Sequence, residues 1–100
     1  MPKLNMSIPH QLPAEEAQAR SKSHIGQLTG QFADKITNWQ EQWNGNIGNF
    51  SFSAMGFSVA GSLTVNASDV GITADLPFAA SFYKSKIEAA IRENVTGWLA

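Results

Sequence analysis

The sequence predicts an α+β fold, an antiparallel sheet with two helices on one face, and three observations carry that prediction. Apolar residues recur at every second position through much of Ile36 to Leu76, and at helical spacing on either side of that stretch. Turn-forming pairs at Asn44-Gly45, Met55-Gly56 and Ala67-Ser68 cut the alternating stretch into four strands. Charge divides the chain in the same way. Eleven of the fifteen charged residues lie in or beside the helical segments, and Ile36 to Tyr83 holds only Glu41, Asp69 and Asp75.

Lys3 to Pro9 alternates, with Leu4, Met6 and Ile8 on one face, so it reads as a half-buried strand that Pro9 ends. A helix is expected from about Pro13 to Asp34, because proline suits the first helical turn and Glu15 and Glu16 face the positive end of the helix dipole. Its apolar stripe is Ala17, Ser21, Ile25, Leu28 and Phe32, and Gly26 and Gly30 fall opposite it. In the meander, a two-residue turn at Asn44-Gly45 sets Trp39 across from Phe50, and a longer loop sets Trp43 there instead. The turn at Met55-Gly56 pairs Phe52 with Val59 and Phe50 with Gly61, an aromatic ring beside a glycine gap. The turn at Ala67-Ser68 pairs Leu63 with Ile72 and Val65 with Val70. These registers place the large apolar residues on one face, which a one-residue slip would undo. Ala79 to Leu99 reads as the second helix, with Tyr83, Ile87, Ala90, Ile91, Asn94 and Trp98 on one side and Lys84, Glu88 and Arg92 spaced for ion pairing. The order is β-α-β-β-β-β-α, with the first strand at an edge of the meander and both helices on the apolar face.

Composition narrows the function. A chain of 100 residues, 43% apolar, is expected to form a single domain over 1–100 around one core. Only 15% of residues are charged and the net charge is −1, while Ser, Thr, Asn and Gln supply 28 residues. Disorder through charge repulsion is excluded, and the basic footprint of a nucleic-acid binder is missing. With no apolar run long enough to span a bilayer and no signal-like N-terminus, the expectation is a cytoplasmic chain without a transmembrane segment. The absence of cysteine removes thiol chemistry and thiolate metal sites.

Few residues offer chemistry. His10 and His24 lack partners at metal-ligand spacing, and no phosphate cradle or nucleophile elbow occurs, so no catalytic set, metal or cofactor is assigned. Glu41 shares the apolar face with Thr37, Trp39 and Trp43 and is the lone charge there. A carboxylate desolvated between indoles is suited to acid or base work, whereas a hairpin projecting past the core leaves it wet. Trp39, Glu41, Trp43 and Phe50 are the candidate ligand-binding residues, at the mouth of an apolar cavity. The opposite face carries Asn5, Ser7, Gln40, Gln42, Ser51, Ser53, Ser62 and Thr64, an almost uncharged surface suited to a partner or a second copy.

Ser7-Ile8-Pro9-His10, Trp43-Asn44-Gly45-Asn46, Asn49-Phe50-Ser51-Phe52, Ala54-Met55-Gly56-Phe57, Gly61-Ser62-Leu63-Thr64-Val65 and Leu76-Pro77-Phe78-Ala79-Ala80 resemble the polyhydroxyalkanoic acid system protein family, as do Lys86-Ile87-Glu88 and Ile91-Arg92-Glu93. The resemblance spans nearly the whole chain, and Trp-Asn-Gly-Asn and Ala-Met-Gly-Phe are its most specific blocks. It implies an accessory role in storage-polyester metabolism, at a polyhydroxyalkanoate granule, on a granule-associated protein, or with an apolar acyl ligand. The element order also resembles a shortened helix-grip fold. Two other readings stand beside a non-enzymatic role. One is a hydrolase or isomerase of a hydroxyacyl compound using Glu41 or His10, and the other is a self-associating module.

Overall fold

In the computed structural model, which describes residues 3–54 and 56–100, β1 (Lys3–Pro9) turns Leu4, Met6 and Ile8 inward and exposes the alternate positions. α1 (Ala14–Gln31) follows, then β2 (Ile36–Asn44), β3 (Ile47–Ala54), β4 (Phe57–Val65) and β5 (Asp69–Asp75). A 3₁₀ helix (Phe78–Tyr83) then runs into α2 (Lys84–Leu99). The five strands form one antiparallel sheet in the order β1-β5-β4-β3-β2, so β1 extends the meander beside β5. Both helices pack on the same face. The core joins Leu4, Met6 and Ile8 to Leu63, Val65, Val70 and Ile72 of the sheet, Ala17 and Ile25 of α1, and Val95, Trp98 and Leu99 of α2.

Two of the three expected meander registers hold. Phe52 faces Val59 and Phe50 faces Gly61 across β3 and β4; Leu63 faces Ile72 and Val65 faces Val70 across β4 and β5. Of the Met55-Gly56 turn between β3 and β4, Met55 lies outside the described residues. The β2–β3 register matches neither expected alternative, since Glu41 faces Phe50 and Trp43 faces Gly48. The turn is centred on Gly45-Asn46, with Gly45 at φ 59°, because a type II′ turn takes glycine at its first central position. Asn46 holds this choice. Its carbonyl accepts the Val65 N–H and its side-chain amide donates to the Val65 carbonyl, each at 2.9 Å, which ties the turn to the end of β4.

A bulge between Thr37 and Gln40 supplies the second correction. Asn38 adopts φ 56°, a left-handed conformation that asparagine tolerates better than most residues. The extra residue reverses the facing of the strand start. Ile36 pairs with Ala54 and Thr37 with Ser53, so Thr37 belongs to the polar face, not to the apolar face expected for it. Ile36 thereby joins Trp39 on the helix side.

Glycine gaps are also filled differently. Gly61 does lie opposite Phe50, but a Cβ there would meet the Thr73 carbonyl at 2.5 Å, so the glycine is required by the approach of β5. The ring lying over a glycine is Trp43 on Gly48, where a Cβ would come within 2.7 Å of the indole.

The helices are shorter than periodicity predicts. α1 ends at Gln31, and Phe32 to Ile36 form a turn in which the Phe32 carbonyl accepts from both Lys35 and Ile36. The second helical segment starts as a 3₁₀ turn, which rotates Tyr83 away from the sheet and leaves it exposed. Lys84, Glu88 and Arg92 form no ion pair; among the described residues the pair within reach is Arg20–Glu16, at 2.9 Å.

Asp69 ties β1 to β5. The Ser7 hydroxyl donates to it at 2.6 Å and the Asn66 amide at 2.9 Å, and these bonds hold its carboxyl below the ordinary aspartate value. A carboxylate of this kind stabilises the fold above the unfolded-state value, and the contribution is lost as pH falls through the lowered folded-state value. Urea unfolding across an acidic pH series is therefore expected to show a shallower acid loss in Asp69→Asn than in the wild type. In the same assay at neutral pH, Gly61→Ala is expected to destabilise by about 1–3 kcal/mol. Gly71→Ala, where an added Cβ meets open space, is expected to be neutral or stabilising by about 0.5 kcal/mol.

Candidate ligand-binding groove

An apolar groove of about 440 Å³ lies between the sheet and the two helices. Its sheet side is Ile36, Trp39, Phe50, Phe52, Leu63 and Ile72. Ile25 and Leu28 of α1, Phe32 just after it, and Ala90, Ile91, Val95 and Trp98 of α2 help to complete it. Burial grades along it. Ile25, Leu63, Ile72, Val95 and Trp98 are buried and form the floor, while Phe32, Ala90 and Asn94 are exposed and form the mouth. Trp39 stacks on both Phe50 and Phe52, with ring centroids 5.8 and 5.5 Å apart, so one wall is a continuous aromatic surface.

Thr29 and Asn94 are the polar side chains in the lining, and both bond to their own helix. The Thr29 hydroxyl donates to the Gly26 carbonyl and the Asn94 amide to the Ala90 carbonyl, each at 2.8 Å. Trp98 adds a polar atom that the groove does not expose. The Trp98 indole N–H is buried and has no hydrogen-bond partner, a defect that costs about 1–3 kcal/mol when nothing fills it. Stacking on His24 at 5.4 Å holds the ring, and Arg20 donates to the Trp98 carbonyl at 3.4 Å and to that of Ala100 at 2.6 Å.

The four candidate residues divide. Trp39 and Phe50 line the groove, whereas Glu41 and Trp43 lie beyond it toward the β2–β3 turn. Glu41 is exposed and accepts from Trp39 Nε1 at 3.2 Å and from Trp43 Nε1 at 2.7 Å. It clips two indoles together at the rim and is not desolvated. Lys22 lies 5.0 Å from the centre of the Trp43 ring, and Gln18 donates to the Gly45 carbonyl at 2.7 Å, so α1 also clasps this hairpin.

His10 is committed to structure. Its Nδ1 accepts from the Leu12 N–H at 3.1 Å, which makes Nε2 the protonated nitrogen that donates to the Asn66 carbonyl at 2.9 Å. With both nitrogens engaged and the ring buried, His10 latches the β1–α1 connection to the β4–β5 turn. Among the described residues no group of three or more His, Cys, Asp or Glu is placed to hold a metal ion, and no helix is long and apolar enough to cross a membrane.

Pattern alone does not single out Ile36, Phe52, Ile91 and Trp98 as residues that line one groove. Ile36 depends on the bulge, and an unpartnered indole N–H arises only from packing.

Sheet, helices and groove together define a small α+β protein with an open apolar space between its two layers. The chain belongs to the family described as "Putative polyhydroxyalkanoic acid system protein", whose model matches residues 4–99. That membership associates it with the polyhydroxyalkanoate system and agrees with the resemblance carried by the Trp-Asn-Gly-Asn and Ala-Met-Gly-Phe blocks. No curated protein matches the chain. Among solved structures, the crystal structure of TTHA0849 from Thermus thermophilus is similar over 98% of this chain and 92% of that one, at 12% identity and a TM-score of 0.36.

Because His10 closes two hydrogen bonds in a buried position, His10→Ala is expected to destabilise by about 1–3 kcal/mol in chemical denaturation. Glu41→Gln, at an exposed site, is expected to change stability by less than about 1 kcal/mol.

Proposed function

We propose that this protein is a non-enzymatic accessory of polyhydroxyalkanoate metabolism that holds an apolar acyl ligand in the groove between sheet and helices. The observation that carries the reading is the groove itself. Its volume falls within the roughly 300–1,000 Å³ typical of small-molecule sites, and its lining is apolar apart from Thr29 and Asn94. An open sheet covered by a long helix after the last strand also supports the helix-grip reading. The engagement of both His10 nitrogens, and the position of Glu41 outside the groove, weigh against either as the acid or base of a hydroxyacyl hydrolase.

A second mode of action has its own support. Phe78 and Phe82 of the 3₁₀ helix are 75% and 77% exposed and meet edge to face at 6.1 Å, beside exposed Tyr83. Paired aromatic rings in water are suited to contact with an apolar surface. β5 leads into this segment at the same sheet end where β2 starts with Ile36, so association of the segment with a storage granule would bring the groove near that surface.

The groove reading is tested by titrating the protein with eight-carbon ligands, namely methyl octanoate, octanoate and octane, and following tryptophan fluorescence from Trp39. Saturable binding of at least one is expected, and Ala90→Trp, which places a large ring at the exposed mouth, is expected to weaken it about tenfold or more. Failure of all three to bind would overturn this reading. For the surface mode, Phe78→Ser/Phe82→Ser is expected to lose co-sedimentation with native granules while retaining the fluorescence response.

A further inference from the structure

We propose that the end of the molecule where β2, β4 and α2 start is a docking surface for a phospholipid layer that carries anionic headgroups. This deepens the surface mode above and rests on it, extending the contact from one aromatic pair to a whole end of the protein and naming the chemistry of the surface.

Topology gathers the exposed aromatic rings. Lys3 pairs with Asp75, Ile36 with Ala54 and Ala54 with Phe57, so β1, β2 and β4 start, and β3 and β5 finish, at one end of the sheet. α1 finishes there too, with Phe32 just after it; Phe78 comes three residues after Asp75, and α2 starts next to Tyr83. Among the described residues six large hydrophobic side chains are exposed, and five of them belong to this end: Phe32, Phe57, Phe78, Phe82 and Tyr83. The sixth, Ile47, lies at the other end of the sheet. Aromatic rings suit the boundary between headgroups and acyl chains, and the Tyr83 hydroxyl gives one of them a polar tip. Phe32 also borders the groove mouth, so a surface bound here adjoins the opening.

Charge selects the surface. Lys3, Lys35, Lys84 and Lys86, four of the seven cationic side chains, lie at this end with Asp34 and Asp75, which leaves it at +2. Elsewhere Arg20, Lys22 and Arg92 stand against six acids, so the rest of the chain is at −3 and the whole at −1. Among the described residues none of the four lysines is in an ion pair, the pair present being Arg20–Glu16. Two of them oppose their own helix. α1 has Glu15 and Glu16 in its first turn, as the helix dipole favours, whereas neither the first turn of α2 nor the 3₁₀ turn leading into it contains an acid, and Lys84 and Lys86 stand there instead. Helix stability does not account for that choice. An anionic layer does, since each lysine close to one strengthens binding about fivefold.

The experiment floats the full-length protein at low salt with vesicles of phosphatidylcholine alone and of equimolar phosphatidylglycerol and phosphatidylcholine, beside co-sedimentation with native granules. Binding to the anionic vesicles is expected to be at least about tenfold tighter than to phosphatidylcholine, and to weaken as sodium chloride screens the lysines. Lys84→Gln/Lys86→Gln is expected to weaken it about tenfold or more while leaving thermal stability unchanged or slightly raised, because repulsion from the helix dipole is relieved. Phe78→Ser/Phe82→Ser is expected to lose it. Lys22→Gln, beside Trp43 toward the opposite end, is expected to retain it. Equal binding to both vesicle types, or a loss in Lys22→Gln as large as in the double lysine variant, would overturn the proposal. Granule co-sedimentation without binding to anionic vesicles would overturn it while the surface mode stands. Failure to associate with granules or vesicles would remove both.

Discussion

The two helices press on the sheet at one end only, and the groove follows from that. The buried residues of α1 are Ala17, Ser21 and Ile25, in its first two-thirds, and those of α2 are Val95, Trp98 and Leu99, in its last turns. Small side chains let α1 approach closely there, with the Ser21 hydroxyl satisfied by the Ala17 carbonyl at 2.8 Å. Arg20 then reaches across to the carbonyls of Trp98 and Ala100, accepting groups that a helix end leaves free, and His24 stacks on Trp98. Beyond this contact Leu28, Ile87 and Ile91 are only half-buried and Phe32 is exposed. The layers stay apart, and the space between them is the groove.

The sheet is shaped to match. Close approach of β5 to β4 at Gly61 and the bulge at Asn38 both depart from regular pleating, on opposite sides of β3. The bulge lets Ile36 and Trp39 face the groove together, since a regular strand would turn residues three apart to opposite faces. β2 is an edge strand, and its bulge and the charge of Glu41 on its helix-facing side are two features that oppose pairing with another sheet edge. Glu41 thus has a structural explanation, as the acceptor for two indoles and as an edge charge.

Chemically, the groove is sparse. Its polar side chains, Thr29 and Asn94, are bonded to their own helices, and Trp98 keeps a buried N–H without a partner. Outside it, the polar sheet face is uncovered by any helix and carries hydroxyl pairs such as Ser62 with Thr73 at 2.8 Å.

Strand periodicity and turn residues determined the element order, the inward face of β1 and the registers of β3, β4 and β5, because a one-residue slip there would expose Phe50, Phe52, Leu63 and Ile72. The same signals were ambiguous in β2. The choice among turns around Gly45 was made by the tether from Asn46 to Val65, and the facing of Ile36 and Thr37 by a left-handed residue that no apolar pattern announces. Trp39 and Phe50 were legible as neighbours on the groove wall because aromatic rings on one sheet face converge. Glu41 and Trp43 looked equivalent to them in sequence, and only the placement of α1 and α2 separated rim from groove. The Trp98 donor was hidden altogether, since whether a buried N–H finds a partner depends on every element packed around it. Local pattern determined which residues turn inward; the unequal approach of two helices to the sheet decided which of them enclose a space.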